Sequence, residues 1–312
     1  GNDLDFTTNA HPKESEKILK KWADSVWDIG AAFGTIAGKK GEITVEITTY
    51  RSENYEKDSR KPSVEFGENI EGDLSRRDFT INAMALELTT DEPTFIDLLT
   101  SLASQEAQAR ELETPIFPIH SDVFKALFLT PVRNIRVILI GQDPYHTPGL
   151  AHGLAFSIPH EIPMQSKLFP SSLRNINKAL ILDGFRALSH GNLSHWANQG
   201  VLLLNTCLTV PMGIPHAHRN WGWAQLTDIL LNRIAMRLPH LVWLLWGSAA
   251  QQKESIANNC QGHLILKASH PSGLGVYQTK TPFLSKGGLI GCGHFKKTNT
   301  WLIQRNLDPI RW

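Results

Sequence analysis

Beyond residue 98 the chain alternates between short apolar runs and longer segments with helical spacing of apolar residues. The strand-like runs are Ile135–Ile140, Gly200–Leu204, Leu241–Trp246 and His263–Ala268. The helical segments are Ser121–Phe128, Leu173–Leu180 and Trp223–Leu238. Such alternation is typical of a parallel sheet covered by helices on both faces. We therefore predict a three-layer α/β domain over residues 99–312.

Residues 1–98 follow a different pattern, and we predict a small α+β domain there. Apolar residues at helical spacing predict a helix over residues 14–28, and a second helix is predicted over Leu74–Leu88. Two β-rich runs, Phe33–Ile36 and Ile43–Tyr50, flank a hairpin turn at Gly38–Gly41. Residues 51–73 and 89–97 are polar and irregular, which places the domain boundary near residue 98.

The charge balance separates the same two segments. Residues 1–98 carry 12 Lys and Arg against 20 Asp and Glu, whereas residues 99–312 carry 19 against 10. The formal net charge of +1 for the whole chain hides this division. An acidic module joined to a basic one indicates different partners, and the basic module is the candidate for binding a polyanion.

Cysteine usage and hydropathy exclude several classes of protein. Cys207, Cys260 and Cys292 are an odd number and form no CxxC pair, which argues against a disulfide framework and a zinc cluster and fits a reducing cytoplasm. The longest apolar runs are far shorter than the roughly 18 residues of a membrane span. The sequence opens at Gly1, without Met or a signal peptide, so we expect a truncated start. We expect a cytoplasmic monomer without membrane contact.

Three of the predicted strands are followed by residues that can carry chemistry. Asp143 follows the first strand in GQDPYH, Asn205 ends the second, and His270 follows the last in SHPS. Each has an ordinary structural explanation: a turn, a strand cap or a loop histidine. Because active sites in parallel sheets lie beyond the carboxyl ends of the strands, their joint placement favours a site.

These motifs carry a close resemblance to a known family. GQDPYH, AHGLAFS at residues 151–157, GVLLLNTCLTV at 200–210, LLWGS at 244–248 and HPSGL at 270–274 resemble the uracil-DNA glycosylases in order and spacing. The resemblance covers residues 98–312. It implies hydrolysis of the N-glycosidic bond of a flipped-out uracil in DNA, as the first step of base excision repair, with no cofactor and no metal.

The resemblance also assigns roles to single residues. Asp143 would orient the attacking water and stabilise the cationic sugar. His270 would donate to uracil O2 as negative charge develops there. Asn205 would read the uracil edge, and Tyr145 would exclude the thymine methyl group. Phe156 would stack on the base, and Gln142 would complete the uracil-binding set.

Contacts with DNA are implied for a further set of residues. They are His146, Pro170, Ser171, Ser172, Gly247, Ser248 and Ser272, with Leu274 as the apolar wedge that enters the duplex. The chain departs from the family at Gly273, where Pro is usual, at Gly275 and Gln278, and in a longer loop over 279–290. We expect Gly273 to make the wedge loop more mobile. We also expect this domain to lack the family's first helix.

Residues 2–98 resemble the head domain of CCA-adding tRNA nucleotidyltransferases and bacterial poly(A) polymerases. The resemblance rests on DLDFTTNA near the start, on VEITTYR at 45–51 and on GDLSRRDFTINA at 72–83. Asp3, Asp5 and Glu46 would hold Mg²⁺ if this half is active, with Arg76, Arg77, Asp78 and Asn82 facing the nucleotide. The family's Gly-Gly unit and tRNA-binding domains are absent. An RNA nucleotidyltransferase is therefore the alternative function, and a non-catalytic appendage is favoured over it.

Overall fold

A computed structural model describes residues 3–30, 34–41, 43–54, 63–66, 93–111, 114–260, 262–273 and 275–312. Contacts divide the chain into two compact units, Gly1–Glu92 and Pro93–Trp312. Across the described ranges, every helix is too short or too polar to span a bilayer.

The N-terminal unit is built on a four-stranded sheet with one helix packed against it. Its elements are β1 (Asp3–Thr8), α1 (Pro12–Trp22), β2 (Ser25–Gly30), β3 (Thr35–Lys40), β4 (Ile43–Thr49), β5 (Arg51–Asn54) and β6 (Ser63–Phe66). The strand order is β1-β4-β3-β2, with β1 parallel to β4 and the other pairs antiparallel. Leu19 from α1 packs on Ile36 and Val45 of the sheet. A sheet with a packed helix confirms the predicted α+β character. The hairpin turn predicted at Gly38–Gly41 lies later in the chain, because β3 extends to Lys40 and pairs there with Ile43 of β4.

Two expectations for this unit are corrected. The helix predicted over residues 14–28 ends at Trp22, because the chain becomes extended at Ala23 and Ser25–Gly30 pairs with β3. Trp22 and Val26 both pack on the core, so the apolar spacing there serves a helix end and then a strand. Part of the segment predicted as irregular pairs as β5 with β6. The helix predicted over Leu74–Leu88 lies outside the described residues.

The second unit is organised by a four-stranded parallel sheet. Its strands are β8 (Val137–Gly141), β9 (Val201–Asn205), β11 (Val242–Trp246) and β12 (Leu264–Ala268), in the order β12-β11-β8-β9. Two short strands, β7 (Ile116–Phe117) and β10 (Val210–Pro211), pair separately. The helices are α2 (Pro93–Arg110), α3 (Lys125–Leu129), α4 (Ser171–Leu182), α5 (Ser194–Ala197), α6 (Trp223–Arg237), α7 (Ser248–Gln251), α8 (Glu254–Asn258) and α9 (His294–Ile303).

The two central strands and β9 are buried along their whole length, as continuous apolar runs predict for a sheet covered on both faces. Each predicted strand is confirmed to within a residue or two at its ends. All three strand pairs are parallel, so their carboxyl ends meet at one edge. The α/β fold predicted from the sequence is therefore confirmed, and this edge is where the site residues gather.

Helix α2 begins at Pro93, within a segment that the polar sequence predicted as a loop. It packs into the second unit: Leu102 is 2% exposed, and Gln105 Nε2 donates to the Trp221 carbonyl at 3.4 Å. Glu106 is also buried, and it accepts from Arg110 Nε at 2.8 Å. The predicted boundary near residue 98 therefore falls inside a helix. The expected lack of a first helix is wrong, because α2 supplies one.

We expect Leu102→Ala to destabilise the second unit by about 2–5 kcal/mol, as for other buried leucines. Ser101→Ala is the matched control, since Ser101 is exposed on the same helix and should change stability by less than ~0.5 kcal/mol. Urea unfolding followed by tryptophan fluorescence measures both variants. Equal unfolding free energies for Leu102→Ala and the parent chain would show that α2 does not stabilise this unit.

Candidate active site

The carboxyl edge of the parallel sheet brings the predicted site residues together. Asn205 is the last residue of β9 and lies in register with Gly141, the last residue of β8. Asp143 follows β8 by two residues, and His270 follows β12 by two residues. The alignment of parallel strand ends thus places a carboxylate, an amide and an imidazole along one edge.

Gly141 makes room for the Asn205 side chain. A Cβ at residue 141 would lie 2.1 Å from Asn205 Oδ1 and 2.9 Å from the Ala155 Cβ. Asn205 is 8% exposed, and its amide has no hydrogen-bond partner in the part of the chain that the structure describes. Its polar atoms are not among the described buried side-chain atoms that lack a partner, so the amide stays in contact with solvent and is accessible to a molecule that binds there.

Asp143 is held by a loop that the sequence did not indicate. Its Oδ2 accepts the backbone N–H of His216 at 2.9 Å, and its side chain is 11% exposed. His216 Nδ1 lies 3.0 Å from Gln142 Nε2 and 3.5 Å from Asp143 Oδ1. The backbone N–H of His216 is thus the group that fixes the carboxylate. His216 is distant in sequence and belongs to none of the quoted motifs, so its role could not be predicted.

The local hydrogen bonds define the tautomer of His270. The backbone N–H of Ser272 donates to His270 Nδ1 at 3.1 Å, which leaves Nε2 to carry the proton of the neutral ring. Burial lowers the pKa of the His270 imidazole, so the ring stays neutral at pH 7. Gly247, at φ 90°, packs so closely that a Cβ there would lie 2.9 Å from the His270 Cβ.

Phe156 adopts a backbone conformation that is rare for a residue with a side chain, at φ 62°. Its ring lies 5.7 Å from those of Trp246 and His270, which fixes an aromatic face beside the imidazole. The Tyr145 hydroxyl donates to the Phe156 carbonyl at 3.3 Å and pairs with Ser172 Oγ at 3.2 Å. Burial raises the pKa of Tyr145 to about 12, so the hydroxyl remains protonated.

A cleft of about 310 Å³ opens beside these groups and contains several predicted site residues. Its lining includes Gln142, Gly247, Ser248, His270 and Ser272. Pro170 directly precedes α4 and Ser171 begins it, with Ser171 exposed and Ser172 buried. His146 is half-buried, and its carbonyl accepts the Gly213 N–H at 3.0 Å. Leu274, the predicted wedge, lies outside the described residues.

The described ranges hold no cluster of three His, Cys, Asp or Glu residues that could bind a metal ion. In the N-terminal unit, Asp5 on β1 lies in register with Glu46 on the parallel strand β4. That placement fits a set of carboxylates for Mg²⁺, but the side chains of Asp3 and Asp5 are outside the description. Arg76, Arg77, Asp78 and Asn82 also fall outside it. A magnesium site in this unit therefore stays a prediction.

The fold and the site define an α/β enzyme with its functional groups at the carboxyl edge of a parallel sheet. The family model for the uracil DNA glycosylase superfamily matches residues 128–303, more than half of the chain. The chain belongs to this superfamily. The model for the poly A polymerase head domain matches residues 1–108, so the resemblance seen in the N-terminal sequence is also confirmed.

Curated relatives and solved structures agree with this assignment. The chain is 45% identical over 207 residues to a uracil-DNA glycosylase of Idiomarina loihiensis, covering 66% of this chain and 88% of the relative. It is 42% identical over 224 residues to the Proteus mirabilis enzyme of the same name, covering 71% and 91%. The crystal structure of the mimivirus uracil-DNA glycosylase superposes with a TM-score of 0.59 at 27% identity, covering 72% of this chain and 87% of that one.

We expect Gly141→Ala to displace the Asn205 side chain, because the new methyl group would overlap Oδ1. Overpacking of this kind costs about 1–3 kcal/mol. Gly291→Ala is the matched control, since a Cβ there meets nothing closer than 3.5 Å. Chemical unfolding and the side-chain amide resonance of Asn205 measure the two effects. An unshifted Asn205 resonance in Gly141→Ala would contradict the close approach.

Proposed function

We propose that the second unit hydrolyses the N-glycosidic bond of uracil in DNA, with Asp143, Asn205 and His270 as its central residues. The observation that carries the proposal is the Asn205 amide, which makes no hydrogen bond within the described residues and keeps its polar atoms accessible. It lies at the end of the strand next to the one that leads into Asp143. A base that supplies both a donor and an acceptor would satisfy this amide. Uracil does so through N3–H and O4.

The proposed reaction breaks the bond between the sugar C1′ and uracil N1 and transfers a water oxygen to C1′. Positive charge develops on the sugar, and the bonding electron pair leaves with the base. Asp143 orients the water and stabilises the cationic sugar, supported by its fixed position against the His216 N–H. His270 donates from Nε2 to uracil O2, where the negative charge of the leaving base accumulates.

A neutral His270 suits this role. Its backbone-bonded Nδ1 and lowered pKa support a donor that is already present before the reaction and needs no protonation from solvent. The buried aromatic rings of Phe156 and Trp246 lower the local polarity, which strengthens a hydrogen bond to a developing anion. The imidazole thus favours the leaving base over the intact nucleotide, which is the requirement for catalysis.

In the proposed pocket, Asn205 and Tyr145 discriminate between bases. Cytosine reverses the donor and acceptor pattern that Asn205 reads and would leave buried groups unpaired, at about 1–3 kcal/mol each. Tyr145 is fixed through its hydroxyl to Phe156 and Ser172, so its ring cannot readily yield to the methyl group of thymine. Phe156 provides the stacking face.

We also propose that the enzyme acts as a cytoplasmic monomer on DNA and without a metal or cofactor. The excess of basic residues in 99–312 supports attraction to phosphates. Of the residues predicted to contact the backbone, Gly247, Ser248 and Ser272 line the cleft. The contacts of His146, Pro170, Ser171 and Ser172 with DNA stay predictions. Three free cysteines fit a reducing compartment.

The full chain should release uracil from a uracil-containing oligonucleotide in the presence of EDTA, with strand breakage after alkali as the readout. Asp143→Asn should lower turnover by at least ~10²-fold, as for the loss of a positioned base. Glu161→Gln removes an exposed carboxylate elsewhere in the unit and serves as control. Activity that depends on added Mg²⁺ or Zn²⁺, or an Asp143→Asn variant with parental turnover, would overturn the proposed mechanism.

Substitutions in the pocket should change which base is released. Tyr145→Ala should admit thymine because the ring is gone, whereas Tyr145→Phe keeps the bulk and should still exclude it. Asn205→Asp should shift selectivity toward cytosine, since a protonated carboxyl can present the reversed pattern. Oligonucleotides with a single uracil, thymine or cytosine measure the three rates. Strict uracil selectivity in both Tyr145→Ala and Asn205→Asp would remove these residues from the pocket.

A further inference from the structure

The backbone conformation at residue 273 does not require a glycine. It is absent from the residues with positive φ, and a Cβ added to it would meet only Ser171, at 3.7 Å from Oγ. Space and backbone geometry would therefore accept another residue. What the position does use is its N–H, which donates to Ser171 Oγ at 3.2 Å. Proline, the residue usual in this family at this point, has no N–H to give.

A second hydrogen bond joins the same two segments. Asn175 Nδ2, one turn further along α4, donates to the Pro271 carbonyl at 2.8 Å. The two bonds are made by residues four apart on the helix, which share one face. Together they connect the first turn of α4 to the loop 271–273.

Each of the two segments is also held by contacts other than these two hydrogen bonds. On the helix side, Ser172 and Leu173 are buried directly after Ser171. On the loop side, Ser269 Oγ donates to the Val276 carbonyl at 3.0 Å and accepts the Phe283 N–H at 2.9 Å. Because neither segment has much conformational freedom to lose, one exposed and one partly buried hydrogen bond can hold the two together.

We propose that Ser171 and Asn175 are positioning residues that clasp the loop 271–273 to α4. This clasp fixes the spacing between the first turn of α4, which begins at Ser171, and the loop that carries Ser272, a residue that lines the cleft. It supplies, through hydrogen bonds, the order that a proline at residue 273 would supply through its ring. The expectation that Gly273 loosens this loop is thus replaced by one in which its N–H restrains it.

The hydrogen bonds of the clasp do not depend on the proposed function. Only their expected effect on DNA binding rests on it. If both segments bind phosphates of the same DNA strand, fixing their spacing lowers the ordering cost of binding. Loss of the clasp should then raise KM and leave kcat unchanged, because the groups around the reacting bond are not part of it. A residue that merely holds the fold together would instead lower the stability of the whole unit.

Hydrogen exchange on the free, full-length protein tests the clasp without reference to activity. Ser171→Ala should speed exchange of the Gly273 amide about two- to tenfold, the range for losing one such hydrogen bond. Ser171→Thr keeps a hydroxyl and should restore protection. Gly273→Ala keeps the N–H and should retain protection as well. Parental exchange of this amide in Ser171→Ala would overturn the proposal.

A double-mutant cycle on a uracil-containing duplex separates the clasp from a direct phosphate contact of Ser171. Ser171→Ala should raise KM about two- to tenfold in the parent and should have a smaller effect once Gly273→Pro has removed the N–H, because only the phosphate contact of Ser171 is then left to lose. A Ser171→Ala effect of equal size in both backgrounds would assign Ser171 to the DNA alone and overturn the clasp. If the parent chain releases no uracil while Gly273 protection still depends on Ser171, the proposed function fails and the clasp stands.

Discussion

The register between β8 and β9 is the constraint on which the site depends. Because Gly141 lies opposite Asn205, the end of one strand provides the space that the side chain at the end of the other requires. A shift of one residue would turn the Asn205 side chain to the opposite face of the sheet. It would also place a side chain of Ile140 against the amide. The buried apolar runs that fill both faces of the sheet leave no room for such a shift, so core packing and site geometry are fixed by the same pairing.

Most of this arrangement could be predicted because it is encoded locally. Continuous apolar runs bounded by polar residues identify buried strands, and the residues that follow them identify the edge at which they meet. The helix α2 was missed because its segment begins with polar residues and Pro93. Pro is well tolerated in the first turn of a helix, and burial of Leu102 stabilises what the local sequence does not. The apolar residues predicted as one helix belong partly to α1 and partly to β2. Their spacing alone could not show where the helix ends and the strand begins.

The contacts that could not be predicted are those between distant segments. His216 reaches Asp143 across 73 positions, and Ser171 meets Gly273 across 102. In the first pair the donor is the backbone N–H of His216. Because nearly every residue type has such a group, the residue type at position 216 does not indicate the contact. In the second pair the departure from the family is visible at Gly273, but its partner becomes evident only in three dimensions. A substitution that would loosen an isolated loop can therefore restrain it once a partner is present.

The strained backbone of Phe156 opposes folding, and the core behind the site holds it in place. At its positive φ this backbone costs about 1–3 kcal/mol. The aromatic core offsets this cost: Trp246 is 1% exposed, its Nε1 donates to His294 at 2.9 Å, and its ring packs on Phe283. The Asn205 amide carries no such cost in the free protein, because its polar atoms remain in contact with solvent. In the proposed reaction a matching base would replace that solvent with paired hydrogen bonds, whereas a base with the reversed pattern would displace the solvent and leave the amide unpaired. Under that proposal the penalty for the wrong base arises on binding, and the rigid core that fixes the Phe156 ring beside the imidazole would prevent the pocket from relaxing to avoid it.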